Sequence, residues 1–170
     1  MEALHAIMSR RSIRSFQATP VEADALDALL RAAMAAPSAG NQQSWRFVVV
    51  TERPRLDTLS ETSPYAGPLR RAPLAIVVCG ETRDEKHPGF WVEDCSAAME
   101  NLLLAAHALG LGAVWLGYHP NEDRKDALRA ILGLPSTVEP FGIAAIGHPD
   151  ESKPPADRFD PAHVHREVWS

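Results

Sequence analysis

The sequence predicts helices packed on both faces of a β-sheet. Two kinds of segment predict it. Short runs such as Phe47-Val48-Val49-Val50 and Leu74-Ala75-Ile76-Val77-Val78-Cys79 are apolar at successive residues, the pattern of strands covered on both sides. Longer segments between them repeat apolar residues at three- and four-residue spacing, the pattern of amphipathic helices. The chain has 170 residues, 45% hydrophobic and 23% charged, enough for one domain with a core that needs no covalent staples.

Residues 2–9 form a predicted short helix with Leu4, Ile7 and Met8 on one face. Thr19-Pro20-Val21-Glu22 reads as a helix start: Thr19 caps, Pro20 takes the first helical position and Glu22 reaches back. Leu26, Leu29, Leu30, Ala33 and Met34 then mark one stripe, and Pro37 closes the helix. Residues 46–51 are a strand. Pro54 opens a short helix carrying Leu56 and Leu59, and 63–71 is a loop. Residues 72–80 are the second strand, and 81–89 are polar and exposed. The longest helix covers 91–109. Cys95, Ala98, Met99, Leu102, Leu103, Ala106 and Leu109 share its stripe, widened by Ala97, Leu104 and Ala105. So broad an apolar surface belongs in a core or in a subunit interface. Gly110 caps this helix, and 113–117 is a strand. Asn121 caps a helix with Ala127, Leu128, Ile131 and Leu132 inward, and Gly133 and Pro135 stop it. Residues 141–147 are the last strand. The tail is Pro-rich and polar until Val164–Trp169, and is expected to wrap over a neighbour or a partner subunit.

Several function classes are disfavoured. A formal net charge of −5 lacks the broad basic face of a nucleic-acid binder. The apolar stretch 102–117 contains His107 and three glycines and is too short to span a bilayer. The first residues carry charges and no signal-peptide apolar stretch. Cys79 and Cys95 form no CxxC pair or metal spacing, which points to a reducing cytosol and a cytoplasmic location. The histidines show no metal-binding pattern, and no metal is expected. Gly110-Leu-Gly112 sits after a helix and before a strand, the reverse of a dinucleotide fingerprint. No P-loop, nucleophile elbow or repeat is present, and no catalytic side chain stands out.

Two stretches carry chemistry. Arg10, Arg11 and Arg14 lie among Ser9, Ser12 and Ser15. Guanidinium forks match a phosphate and serine hydroxyls complete its cradle; a solvated basic turn is the plain alternative. Pro37-Ser38-Ala39-Gly40-Asn41-Gln42-Gln43-Ser44-Trp45 presents side-chain amides. These offer donors and acceptors to the edge of a heteroaromatic ring, or simply connect a helix to a strand.

Arg10-Arg11-Ser12-Ile13-Arg14, the Pro37–Trp45 loop and the block from Ala98 to Trp115, ending Leu-Gly-Leu-Gly-Ala-Val-Trp, resemble in order and spacing the FMN-dependent nitroreductase family, in its short members. Ser44 stands where the family more often has proline. The resemblance implies an α+β fold with a central, mostly antiparallel sheet flanked by helices. It also implies an intertwined homodimer with FMN at the subunit interface. Residues 1–170 would be one domain, with 150–170 an arm on the partner. Arg10, Arg11, Ser12 and Arg14 would hold the phosphate and ribityl chain, with Arg158 added from the tail and Lys153 in reserve. Pro37, Ser38 and Ala39 would lie along the isoalloxazine, and Asn41 and Gln43 would meet its oxygens. Leu116 and Gly117 would approach it with backbone atoms. Tyr65 and Trp91 are candidates for the substrate wall, against simple packing.

The implied activity is hydride transfer from NAD(P)H through FMN to a nitroaromatic or quinone, by a ping-pong route. Two alternatives stand beside it. One is a flavin-binding relative with other chemistry: ene-reduction, dehalogenation or flavin breakdown. The other is a non-enzymatic dimer that binds a phosphate ligand.

Overall fold

Of the two runs that are apolar on successive residues, 74–79 becomes an interior strand buried on both faces, whereas 47–50 differs from expectation: it lies on a sheet edge, where Val49 is exposed. In a computed structural model, which describes residues 1–169, strands β1 (Trp45–Val50), β2 (Leu74–Glu81), β3 (Gly112–Gly117) and β4 (Val138–Gly147) pair in the order β1-β2-β4-β3. Every neighbouring pair is antiparallel. Helices α1 (Ala3–Ser9), α2 (Ala23–Met34), α3 (Arg53–Ser60), α4 (Trp91–Ala108) and α5 (Glu122–Leu132) complete an α+β fold. Alternate residues of β2 face opposite ways: Ile76 and Val78 pack with Leu29 of α2 and Met99 and Leu102 of α4. Ala75, Val77 and Cys79 pack with Leu56 and Leu59 of α3 and Leu128 of α5. Each large side chain so buried contributes about 1.5–3 kcal/mol.

Most expected boundaries hold. The Asn121 side chain accepts from the Arg124 N–H at 3.0 Å, and Gly133 ends α5 at φ 64°. The start of α2 differs: Glu22 is the N-cap residue and no side chain caps the helix. The chain turns helical only at Ala23, so Glu22 takes the N-cap position instead of the third helical position from which a capping-box carboxylate reaches back. Its carboxylate lies 3.5 Å from His148 Nε2. Helix α4 ends at Ala108, leaving Leu109 exposed outside the stripe.

β4 begins earlier than expected, at Val138. Opposite β2 it carries a bulge: Val78 pairs with Gly142 and Cys79 with Pro140, so Phe141 is the extra residue. Pro140 has no N–H to give the ladder. The Phe141 carbonyl accepts from the N–H groups of Tyr118 (3.3 Å) and His119 (3.0 Å).

The segment after α1 runs along the outer edge of β3. Ser12 bridges Ala113, and the Ile13 N–H donates to the Ala113 carbonyl at 3.0 Å. A Cβ on Gly112 would sit 2.7 Å from Ile13 Cγ2, so this contact requires glycine. Leu4, Ile7 and Met8, the apolar face of α1, are exposed in the protomer. Phe159, Val164, Val168 and Trp169 of the tail are exposed too, Trp169 at 87%. Residues 150–153, the start of the expected arm, are held by their own protomer. The Asp150 N–H donates to the Ser15 carbonyl at 2.9 Å, and Lys153 Nζ to the Ser12 carbonyl at 2.8 Å. Ser170 lies outside the described residues.

Among the described residues, no helix is long and apolar enough to cross a membrane. Cys79 and Cys95 are free and buried. Burial pushes the Cys79 thiol up to about 12 and raises that of Cys95 as well, so neither is a ready nucleophile.

Candidate functional site

The arginine stretch is tied down from two sides. Arg10 Nε lies 3.2 Å from Glu100 Oε1 on α4. The Ser9 hydroxyl donates to the His5 carbonyl (2.6 Å) and stands 2.8 Å from His107 Nε2, which docks the end of α1 on α4. From the tail, Glu151 Oε1 accepts from the backbone N–H groups of Arg14 (2.5 Å) and Ser15 (3.2 Å). The Arg14 N–H is the main reason the Glu151 carboxyl lies below its ordinary range. Thus Arg14 is anchored by its backbone while its side chain stays exposed.

Arg10, Arg11 and Arg158 line one cleft of about 300 Å³ with Ile7, Met8 and Phe159. Asp157, also on its wall, turns its carboxylate to the Phe159 N–H at 3.1 Å. Among the described residues the Arg11, Arg14 and Arg158 guanidiniums have no ion pair, so they are available to an anion. The fit to a phosphate monoester is chemical: such a group carries about −1.5 to −2 charges at neutral pH, which calls for more than one guanidinium.

The amide turn is built around a carboxylate that sequence reasoning missed. Asp94, in the first turn of α4, is 2% exposed. Its Oδ1 accepts from the Ala39 N–H at 2.8 Å; its Oδ2 accepts from Gln42 Nε2 at 2.9 Å and from Ser44 Oγ at 2.6 Å. A signal was available: Asp94 precedes Ala98 by four residues and so lies on the buried stripe. Within the turn Gly40, Asn41 and Gln43 all have positive φ (52°, 55° and 51°). The Gln43 N–H donates to Ser38 Oγ at 3.0 Å and Gln43 Nε2 to Asn41 Oδ1 at 3.1 Å. Pro37, Asn41 and Gln43 are exposed, and Ser38 and Ala39 half-buried. A Cβ on Gly40 would meet His87 Nε2 at 2.3 Å, so the 81–89 segment rests directly on the turn.

The end of β3 carries the remaining candidates. The Ala113 carbonyl faces outward to Ile13 and the Tyr118 N–H faces β4. By the strand's two-residue alternation, Trp115 and Gly117 turn backbone groups to the free edge, and Leu116 turns its own toward β4. Leu116 is also buried against the α3–α5 face, opposite Ile143 of β4. Gly117 is exposed, and its carbonyl lies 3.5 Å from an Arg124 nitrogen. That guanidinium covers the Tyr65 ring at 5.2 Å, placing Tyr65, 67% exposed, beside Gly117.

Trp91 is packing rather than an open wall. It is 8% exposed, edge-on to His119 (4.9 Å) and Phe141 (6.3 Å), and a Cβ on Gly80 would sit 2.5 Å from it. Trp115 is the more open tryptophan, 37% accessible and 5.2 Å from Phe141, with nothing in the sequence to separate it from its strand. Burial, and then nearby Lys125, lower the His119 pKa.

The arginine cleft borders β3 while the amide turn leads into β1, the opposite edge of the sheet. Three strand spacings, about 14 Å, separate those edges.

The sequence model of the nitroreductase family matches residues 7–66 and 56–148. The chain belongs to the nitroreductase family. A relative from Methanothermobacter thermautotrophicus, provisionally named NADH dehydrogenase/NAD(P)H nitroreductase, is 46% identical over 99% of this nitroreductase-family chain and 88% of its own. The crystal structure of a provisionally named NADH oxidase from Clostridium acetobutylicum superposes with TM-score 0.94 at 45% identity, covering 96% of this chain and 99% of the other. An FMN-dependent nitroreductase from Clostridium difficile gives TM-score 0.92 at 31% identity, covering 98% and 99%.

Proposed function

We propose that this nitroreductase-family chain is an NAD(P)H-dependent FMN oxidoreductase, working as a homodimer with FMN held between two copies. One observation carries the reading: a cleft shared by Arg10, Arg11 and Arg158 occurs with an exposed, rigidly built amide turn in a chain of this family. Likeness to an FMN-dependent nitroreductase supports the cofactor, and the NAD(P)H in relatives' names supports the donor.

In this reading Arg10, Arg11, Arg14 and Arg158, with the Ser12 hydroxyl, neutralise the phosphate and ribityl end. The amide turn of the second copy lines the ring: Pro37, Ser38 and Ala39 along its side, Asn41 and Gln43 at its oxygens. The opposite-edge placement of turn and cleft supports two copies, since one protomer keeps them strands apart. Gly117 brings backbone to the ring with no side chain in the way. Tyr65 stands at the acceptor side. When bound, FMN supplies hydride chemistry at N5, taking reducing equivalents from NAD(P)H and giving them to a nitroaromatic or quinone in ping-pong fashion. An arginine of the 10–14 stretch would also stabilise the negative charge of the reduced flavin. The exposed α1 face, the half-buried Ala97, Leu104 and Ala105 of α4 and the tail from about residue 156 supply the dimer seam and arm.

A visible spectrum tests this directly. The purified protein is expected to be yellow, to bleach with NADH or NADPH under anaerobic conditions, and to regain its band on adding a nitroaromatic or quinone. A colourless protein that refuses added FMN would overturn the reading. Recovery with enones alone would keep the flavin and change the acceptor.

A further inference from the structure

We propose that Asp94 is the positioning residue of the ring-facing amide turn, acting through the Ala39 N–H, Gln42 and Ser44, with Gln42 coupling the turn to the 85–90 segment. The proposal rests on the reading above that the turn faces FMN.

The donor and acceptor pattern has a single direction. A carboxylate only accepts, so Gln42 must turn its NH₂ to Asp94 Oδ2, at 2.9 Å. That leaves Gln42 Oε1 to accept from the His87 N–H at 3.2 Å. Ser44 adds its hydroxyl to the same oxygen, and the Ala39 N–H takes the other. Asp94 is thus joined to both ends of the turn, and to the segment carrying His87 and Phe90. Asn41 and Gln43, the two residues with exposed amides, hold left-handed backbone, a conformation non-glycine residues keep only when surrounding bonds over-determine it. Ser38 accepts from the Asn41 and Gln43 N–H groups, and Asp94, from a helix and without itself reaching the surface, holds the residues that flank them, Ala39, Gln42 and Ser44.

Asp94→Asn keeps the shape and breaks the pattern. An amide in either orientation puts an N–H against the Ala39 N–H or the Gln42 NH₂. Flipping Gln42 only moves the conflict to the His87 N–H. A buried unpaired donor is costly, and the cheap relief is for the turn to loosen.

Two readouts test this. In the apo-protein, hydrogen exchange at the Asn41, Gln42 and Gln43 N–H groups is expected to quicken by about tenfold or more in Asp94→Asn, with β2 and β4 unchanged. In FMN titration the Kd is expected to rise by about tenfold. Adding Asn41→Ala to Asp94→Asn is expected to cost less than it does in the wild type, because both act on one contact. Wild-type exchange in the turn, or an unchanged Kd beside a wild type that binds FMN, would overturn the proposal; so would fully additive losses. If Asp94→Asn does not fold, Gln42→Met removes the Asp94–Gln42–His87 link alone and is expected to loosen the turn and raise the Kd several-fold; no change in either overturns the coupling. A wild type that binds no FMN fails the functional reading instead, and exchange in the turn still reports on Asp94.

Discussion

Gly40 meets two independent demands. Its φ of 52° disfavours any side chain, and a Cβ there would lie 2.3 Å from His87 Nε2. Gly40→Ala is expected to cost about 1–3 kcal/mol, read as a lowered urea midpoint, and to expel His87 from the turn. Lys125 is a different kind of residue: buried, it pairs with Glu122 (2.9 Å) and Glu139 (2.7 Å), and Arg129 holds the other oxygen of Glu139 at 2.7 Å. Burial alone would raise the Glu139 pKa, but Lys125 and Arg129 outweigh it and the net shift is downward. A carboxyl depressed in the folded state stabilises above its unfolded pKa and loses that contribution as pH falls through the folded value. Acid unfolding below about pH 4.5 is therefore expected to steepen because of Glu139. Glu139→Gln should flatten that limb in a stability–pH series. Burial would lower the Lys125 pKa, and its two glutamates raise it instead, so its contribution persists until strongly alkaline pH.

At the scale of elements, α4 does three jobs along its length. Its first turn carries Asp94 for the amide turn, its middle carries Glu100 for Arg10, and its stripe fills the α2–α4 core. Leu102 is fully buried in that stripe, and Leu102→Ala is expected to cost about 2–5 kcal/mol by urea denaturation. Leu104 is half-buried in the protomer, and Leu104→Ala should instead weaken self-association while leaving monomer stability nearly intact. Much of α4 was legible in the sequence because its apolar residues repeat at helical spacing. The strands were legible because β2 and β4 are apolar on both faces. The start of α2 differs because residues 19–22 stay non-helical and the helix begins only at Ala23, so the capping box that Thr19 and Glu22 spell out locally is not formed. For Trp91 the sequence left wall and packing open, because an aromatic opening a helix looks the same in sequence whether Gly80 makes room for it or solvent does.

For the whole molecule, the apolar face of α1 and the tail are hard to account for in one copy. Leu4, Ile7, Met8, Phe159 and Trp169 are all exposed, and Ile7, Met8 and Phe159 border the arginine cleft. Ile7→Glu is expected to shift the protein toward monomer in analytical ultracentrifugation and to lose FMN with it, since cleft and turn then come from separate chains. A monomer that keeps FMN would refute the shared site.

By itself the sequence determined the helices, the strands, most caps and the two stretches that carry chemistry. Periodicity, proline, glycine and charge act over a few neighbouring residues, and that is the range a sequence displays. Only the tertiary structure decided that Arg158 of the tail joins Arg10 and Arg11, that Leu116 turns inward beside an outward Gly117, and that Asp94 organises the amide turn. Each of those depends on what stands opposite a residue after the chain has folded. Burial and hydrogen-bond pairing across the fold are properties of that opposition rather than of the residue's own neighbours in the chain.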